Sequence, residues 1–399
     1  MRPKVVLAFS GGLDTSFCVK YLHDEKGYDV HSVIVNTGGF DKDEVAEIER
    51  KAYALGVATH KTIDITDTYY SKCIKYMIFG NMLKNNTYPM SVSSERIFQA
   101  IAIAEYARQL QADAVAHGST GAGNDQVRFD LVFQIMLPNM QIISPIRELK
   151  LSRDEEIDYL KKKGVQDNWE RKSAYSINKG LWGTSVGGRE TLNSGTWLPD
   201  DAYPSPLKKQ GEEMLTLTFE RGEIVAVNGK KMKPVEAILE IDRKGNAYAV
   251  GRDTHVGDTI IGIKGRVGFE AAAPLILIKA HHLLEKHTLT KWQQYWKDQL
   301  SVWYGMLLHE AQYLEPVMRD IEKCLDNSQQ FVSGNVFVRL SPYRFEVLGI
   351  ESEHDLMNAK FAKYGEEMSA FTGQDVIGFT KILSNQLKIW YAVNQEKVD

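Results

Sequence analysis

Val5-Val6-Leu7-Ala8-Phe9-Ser10-Gly11-Gly12-Leu13-Asp14-Thr15-Ser16 stands almost at the start of the chain. Val5–Phe9 is a continuous apolar run, as a strand buried on both faces of a parallel sheet requires. Gly11 and Gly12 let the backbone turn tightly with its amides facing a ligand. A helix follows from about Thr15 to Glu25, with Gly27 placed to end it, and its start adds roughly half a positive charge. The hydroxyls of Ser10, Thr15 and Ser16 are donors for phosphate oxygens, and Asp14 can steady the loop or help hold a magnesium ion. This is a phosphate cradle between strand and helix. It is neither a G-x-x-x-x-G-K-[ST] loop nor a G-x-G-x-x-G fingerprint, since neither occurs in the chain. Without further support the same residues also describe a capped helix after a tight turn.

Working outward, strand and helix patterns alternate. Val30–Val35 reads as a strand, Asp43–Leu55 as an amphipathic helix stopped by Gly56, and Thr59–Ile65 as a third strand. Ser93–Leu110 follows as a long helix, then strands at Ala114–His117 and Gln141–Ser144, then a helix over Ser152–Lys163 closed by Gly164. The implied fold class is α/β, a doubly wound, mostly parallel sheet occupying residues 1–165. Beyond residue 166 the texture changes. An irregular stretch spans Asn168–Trp197, and alternating strand patterns cover Leu215–Val227 and Ala237–Val250, joined through the Asn228-Gly229 turn. Helices are expected at Pro274–Glu285 and Gln299–Cys324, and a hairpin across Asn335–Gly349. This second domain, residues 166–355, reads as α+β. A tail, 356–399, carries an apolar helical piece near Ile382–Val393 suited to packing on a partner subunit or on the body.

The chain has 399 residues, 43% hydrophobic and 25% charged, the balance of an ordinary globular protein with two or three domains. A formal net charge of −4 argues against a nucleic-acid partner. No run of 18 apolar residues occurs, so no membrane partner is expected. Cys18, Cys73 and Cys324 are scattered and odd in number, which fits reduced thiols and a cytoplasmic location better than disulfides or zinc. His281, His282 and His287 read as surface or subunit contacts, Trp292, Trp296 and Trp303 as packing residues, and Lys161-Lys162-Lys163 as a solvated helix end.

A second constellation, His117-Gly118-Ser119-Thr120-Gly121-Ala122-Gly123-Asn124-Asp125-Gln126-Val127-Arg128-Phe129, follows the fourth strand. Its glycines expose amides, and a helix starting near Asn124 points its positive end into the cleft shared by the strand ends. Asn124 and Arg128 fall on one helix face; Arg128 can grip a carboxylate with two parallel bonds, and Asp125 can bind an ammonium group. His117 reads equally as a hydrogen-bonded structural histidine or a catalytic one. Tyr88 and Ser93, taken alone, read as packing and capping residues.

The S-G-G-x-D-[ST]-S string resembles the PP-loop of the N-type ATP pyrophosphatases, and the second string resembles the signature of argininosuccinate synthetases within them. The resemblance extends along nearly the whole chain, through Tyr88 and Ser93, Ser176 and Ser185, and Ile261-Gly262-Ile263-Lys264-Gly265-Arg266. It implies an AMP-forming carbon–nitrogen ligase that activates citrulline with ATP and condenses it with aspartate, with Mg2+ as cofactor and a homotetrameric assembly. By position, Ala8, Phe9, Ser10, Gly11, Gly12, Leu13, Asp14, Thr15, Ser16, Val35 and Gly118 would hold ATP. Thr120, Asn124 and Asp125 would hold aspartate. Tyr88, Ser93, Asn124, Arg128, Ser176 and Ser185 would hold citrulline, with Asp14, Asp125 and Arg128 the catalytic candidates and no protein metal ligands. Three positions depart from the family's pattern. Ala122 replaces a frequent Lys, and Gly257 and Phe269 stand where many members carry a citrulline-binding Glu and a Tyr; His255 or Glu270 could compensate. A tRNA-thiolating enzyme and a nucleotide-sensing protein on the same fold are the alternatives. The first would bring a basic surface and paired cysteines, and the second would form no AMP.

Overall fold

The strands β1 (Lys4–Ala8), β2 (Asp29–Asn36), β3 (Thr59–Asp64), β4 (Ala114–Ala116) and β5 (Gln141–Ile143) make one parallel sheet in the order β3-β2-β1-β4-β5. The computed structural model from which this is read describes residues 2–165, 175–358 and 370–394. Chain order reverses between β1 and β4, which makes the gap beyond their carboxyl ends the ligand-binding crevice of such a sheet.

Helices α1 (Leu13–Asp24) and α2 (Lys42–Leu55) cover one face. Val5 and Leu7 point to that side, packing with Phe17, Leu22, Ile48 and Ala52. Val6 points to the other, into a core shared with the helix residues Ile97 and Phe98. The alternation follows from the two-residue period of a strand buried on both faces. The helix α2 begins in a capping box, Asp41 with Glu44, and ends at Gly56 with φ 94°, the left-handed conformation that glycine adopts without cost. After β3 the chain forms α3 (Thr66–Tyr69) and α4 (Lys75–Phe79), joined by a π turn over Tyr70–Ile74. Then come α5 (Ser91–Leu110), α6 (Asp125–Met136), α7 (Pro145–Leu149) and α8 (Arg153–Lys162).

The remainder of this unit is built on antiparallel sheets. One contains β6 (Tyr175–Gly180), β7 (Gly183–Gly188), β11 (Arg252–Asp258) and β12 (Lys264–Glu270) in the order β11-β12-β7-β6. The other contains β8 (Glu213–Glu220), β9 (Glu223–Val227), β10 (Lys230–Lys231), β13 (Gly334–Ser341) and β14 (Arg344–Glu351), in the order β10-β9-β8-β13-β14. Helices α9 (Pro234–Ala247), α10 (Ala272–Thr288), α11 (Lys291–His309) and α12 (Pro316–Ser328) complete it. One continuous core holds Val6 and Val35 of the parallel sheet together with Leu217, Leu277 and Val336. The chain divides into the unit Met1–Glu353 and a second unit, His354–Asp399. The second unit contains α13 (Gly373–Leu383) and α14 (Asn385–Asn394), with Ile377, Phe379, Ile382, Leu387 and Trp390 all exposed.

Several sequence expectations are corrected. Ala237–Val250 is not a strand pattern but mostly α9, opened by Pro234 and burying Ala237, Ile238, Ile241 and Gly245 at helical spacing. Gln299–Cys324 is not one helix; α11 ends at His309 and α12 restarts at Pro316, which cannot sit inside a helix. The irregular stretch includes the β6–β7 hairpin, and its part at 168–174 lies outside the described residues. His281 is a core residue, bonded to Asn81 and Gln329. Trp292, Trp296 and Trp303 are exposed along one face of α11 and do not form part of the buried core.

Candidate functional site

Between β1 and α1 the backbone turns through Gly11, at φ 74°, and Gly12, the N-cap of α1. Only glycine takes that first conformation freely. The hydroxyls brace the turn: Ser16 Oγ donates to the Gly12 carbonyl at 2.7 Å, and Ser10 and Thr15 Oγ stand 3.4 Å apart. The first amides of α1 have no intrahelical acceptor, so they remain available to an anion. The Leu13 side chain packs on Leu160 of α8, so this residue can offer a ligand only its backbone. Ala8 is half-buried, Phe9 is buried edge-on to His60, and Val35 is buried at the end of β2.

The Asp14 side chain is engaged with α8. Burial pushes its carboxyl up against the opposing pull of Arg153, and its neighbour is Glu156. Burial and the Asp14 charge together push Glu156 up to about 8, and Glu156 offers its proton toward Asp14. Asp14 thus faces α8, while α1 is packed on α8 through Leu13 and Leu160. Because the unfolded Glu156 titrates near 4.5, the folded chain holds an extra proton between about 4.5 and about 8. The stability this contributes is fully present below that window and is lost as pH rises through it. Glu156→Gln is expected to flatten the fall in melting temperature between about pH 5 and pH 8.5. Equal slopes for both proteins would assign the fall to other groups.

The second loop is held by its histidine. His117 Nδ1 accepts from the Ser119 amide at 3.2 Å, so Nε2 carries the proton and donates to Asp130 at 2.9 Å. Burial would raise the Asp130 carboxyl, but His117 and Arg147 outweigh it and hold it below the usual range. Gln126 Nε2 donates to the carbonyls of Gly121 and Gly123, folding the glycine string back on α6. Of the string's side chains, Thr120 and Ala122 stay exposed.

The two loops touch. A Cβ on Gly118 would lie 3.2 Å from Thr15 Cγ2 and 3.4 Å from the Asp14 carbonyl carbon and the Thr15 amide nitrogen. Segments a hundred positions apart in the chain thus meet with backbone against backbone at the switch point.

Beside this junction lies a cluster of charge. Asp125, at the start of α6, receives Arg96 Nε at 3.1 Å and Arg128 Nη1 at 2.8 Å. Burial would raise its carboxyl, but the two guanidiniums hold it below the usual range. Arg128 is buried, and its Nε and Nη2 both donate to the His309 carbonyl at 3.3 Å. Arg96 also reaches Asn178 of β6 at 2.8 Å, and Asn178 lies 3.5 Å from Ser185 Oγ on β7. Asn124 accepts from the Ile260 amide at 2.8 Å, which pins the β11–β12 turn to the signature loop and leaves the Asn124 amino group for a ligand.

Asp125, Arg128 and Ser185 are therefore linked through Arg96 and Asn178, while Asn124 bonds to Ile260. Tyr88 is buried, its hydroxyl 3.2 Å from Ser91 Oγ. Ser93 turns back on the Met90 carbonyl at 3.2 Å, so its hydroxyl proton is already used. Ser176 is exposed on β6 opposite Gly187. Sequence reasoning missed Arg96, Asn178 and His309. The signal for Arg96 was available: Glu95-Arg96 are an adjacent charged pair at the head of the largely apolar stretch Ile97–Ala104 of the long helix. His309 had no local signal.

A doubly wound sheet whose switch point carries two meeting glycine loops, with a carboxylate–guanidinium cluster beside them, defines a nucleotide-dependent enzyme that also holds a charged small molecule. Known proteins sharpen this. A family model described as the arginosuccinate synthase N-terminal HUP domain matches residues 4–166, and the arginosuccinate synthase C-terminal domain matches 175–390. Similar curated proteins include the argininosuccinate synthase of Methanocaldococcus jannaschii, 38% identical over 92% of this chain and 93% of that protein. Those of Xanthomonas campestris (37%; 98% of this chain and 99% of that protein) and Pyrococcus furiosus (35%; 97% and 94%) are comparable. The chain belongs to the argininosuccinate synthase family, ligases that condense citrulline with aspartate in arginine biosynthesis. Among the described residues, no helix is long and apolar enough to cross a membrane.

Proposed function

We propose that the Ser10–Ser16 loop, with Ala8, Phe9, Val35 and Gly118, holds ATP, and that Thr120, Asn124 and Asp125 hold aspartate beside it. Tyr88, Ser93, Asn124, Arg128, Ser176 and Ser185 receive citrulline. The observation that carries this reading is the contact of Gly118 with Asp14 and Thr15, because it brings an anion cradle and an amino-acid loop into one crevice. The ureido oxygen of citrulline attacks the α-phosphorus of ATP, and the bond to the bridging oxygen breaks as pyrophosphate leaves. The aspartate amine then attacks the activated ureido carbon and loses a proton, AMP departs with the ureido oxygen, and argininosuccinate forms. The loop amides and hydroxyls disperse charge on the leaving pyrophosphate, where one well-aimed donor is worth on the order of 2.7–4 kcal/mol. Asp125, kept ionised by Arg96 and Arg128, orients the aspartate amine. No side chain needs to act as nucleophile; positioning and fixed charge do the chemistry.

Magnesium enters with ATP as its salt. Among the described residues no three His, Cys, Asp or Glu side chains gather to hold a metal ion. The exposed apolar face of α11 and the apolar helices of the second unit support assembly into a homotetramer, which the mass in solution tests. Cys18 and Cys73 are buried free thiols whose pKa burial pushes up, consistent with a reducing, cytoplasmic setting and not with thiol-transfer chemistry. The deciding experiment is an omission assay. Pyrophosphate and AMP are expected only when ATP, citrulline and aspartate are all present; AMP formation that is indifferent to aspartate would overturn the proposal.

A further inference from the structure

Glu95 precedes Arg96 on α5 and is 3% exposed, and a carboxylate so buried requires partners. Arg96 Nη1 donates to its Oε1 at 3.3 Å, and Gln99 Nε2 donates to the same oxygen at 2.7 Å. Gln99 Nε2 also reaches the Val35 carbonyl at 3.4 Å, so this corner is tied to the end of β2. The backbone of β6 closes over the carboxylate. A Cβ on Gly180 would lie 2.3 Å from Glu95 Oε2, so Glu95 fills the place that a side chain at 180 would take. Burial pushes the Glu95 carboxyl up, and Arg96 pulls it back. Its partners, a guanidinium and an amide N–H, both serve the ionised form.

Arg96 thus answers to two carboxylates. Its Nε meets Asp125 at 3.1 Å and its Nη1 meets Glu95, whereas its Nη2 goes to the neutral Asn178 Oδ1 at 2.8 Å. Arg128 completes the set on Asp125 at 2.8 Å. The Asp125 side chain is 34% exposed, against 4% for Glu95, 15% for Arg96 and 5% for Arg128, so Asp125 is the member that a ligand meets. With Glu95 present the two guanidiniums and two carboxylates balance. Without it the set carries a net positive charge, and an ammonium group approaching Asp125 would be repelled where water screens little.

We propose that Glu95 is a positioning residue for the condensation: as the second counter-charge of Arg96 it leaves Asp125 with negative charge to spare for the substrate amine, and it does so without touching substrate. The inference rests on the reading of Asp125 as the amine-binding carboxylate and deepens it. The charge supplied to Arg96 is what counts, not the space the side chain fills. Asn178 allows the two to be separated, because it is bonded to the same guanidinium and has the shape of an aspartate.

The test measures the KM for aspartate, citrulline and ATP in Glu95→Gln, which keeps the shape and removes the charge. The KM for aspartate is expected to rise about tenfold, while those for citrulline and ATP stay within about threefold of wild type. The double variant Glu95→Gln/Asn178→Asp returns a carboxylate to Arg96 from β6 and is expected to bring the aspartate KM back to within about threefold. An unchanged aspartate KM in the single variant, or no recovery in the folded double variant, would overturn the proposal. So would an equal rise for all three substrates, the mark of a general structural defect. If Glu95→Gln does not fold, Gly180→Ala decides, because its Cβ displaces the carboxylate from Arg96 without removing it. A wild-type aspartate KM in that variant would overturn the proposal. Asp125→Ala separates the two levels of the argument. An unchanged aspartate KM there would overturn the underlying reading of Asp125, and this inference with it, whereas a raised one beside a silent Glu95→Gln overturns this inference alone.

Discussion

Arg128→Ala is expected to lower kcat/KM for citrulline at least about a hundredfold, some 2.7 kcal/mol of transition-state stabilisation. The guanidinium makes three bonds in a buried setting, one to Asp125 and two to the His309 carbonyl. Removing it leaves Asp125 with Arg96 alone and the carbonyl with no donor, so the carboxylate proposed to bind the amine loses its orientation together with the proposed citrulline contact. Arg128→Lys should not rescue activity, because an ammonium cannot span a carboxylate and a carbonyl in fixed planar geometry. Steady-state kinetics with each substrate varied in turn provide the measurement. Wild-type turnover in the alanine variant would remove Arg128 from the site.

Gly118→Val is the second large effect. Even a bare Cβ at this position would press on Thr15 Cγ2 and on the backbone between Asp14 and Thr15. Two further methyl groups cannot be accommodated by a rotamer change, because the opposing atoms are mostly main chain. The loops must separate, and a loss of at least about a hundredfold in pyrophosphate release is expected, accompanied by a raised KM for ATP. Stability should fall by only about 1–3 kcal/mol, the usual result of overpacking, so melting and activity data separate loop displacement from unfolding. Gly118→Ala should be much milder, since its neighbours need yield only a few tenths of an ångström. Activity of the valine variant close to wild type would show that the junction is not where catalysis depends on the loops.

The parallel sheet was legible because its strands carry continuous apolar runs and its helices carry end signals, such as Gly56 and the Asp41–Glu44 box. The π-interrupted helix at 66–79 was not, because its N-cap residue Ile65 carries no capping side chain and the Asp64 carboxylate that takes the Thr66 amide reads as the end of a strand. The antiparallel half was harder. Ala237–Val250 has enough apolar residues for either period, and the arbiter was Pro234 at the first helical position. The strand β11, Arg-Asp-Thr-His-Val-Gly-Asp, is short on apolar residues and so carried little strand signal. Within the site, the motif loops could be read because glycines and hydroxyls cluster in sequence. Arg96, Asn178 and His309 come from three elements that only the fold brings together, so local pattern could not find His309 or Asn178. The role of Asp14 also needed the structure, since nothing in the loop announces that Glu156 lies beside it.

The seam between β1 and β4 is joined by only three residue pairs, Val5 with Ala114, Val6 with Val115 and Leu7 with Ala116. Both glycine loops hang from the ends of those two strands, so this small clasp sets their separation. A lesion at Val115, fully buried within the sheet, is expected to weaken nucleotide and amino-acid affinity together. A genetic screen of this gene should therefore recover inactivating changes in that tripeptide that mimic a double catalytic defect.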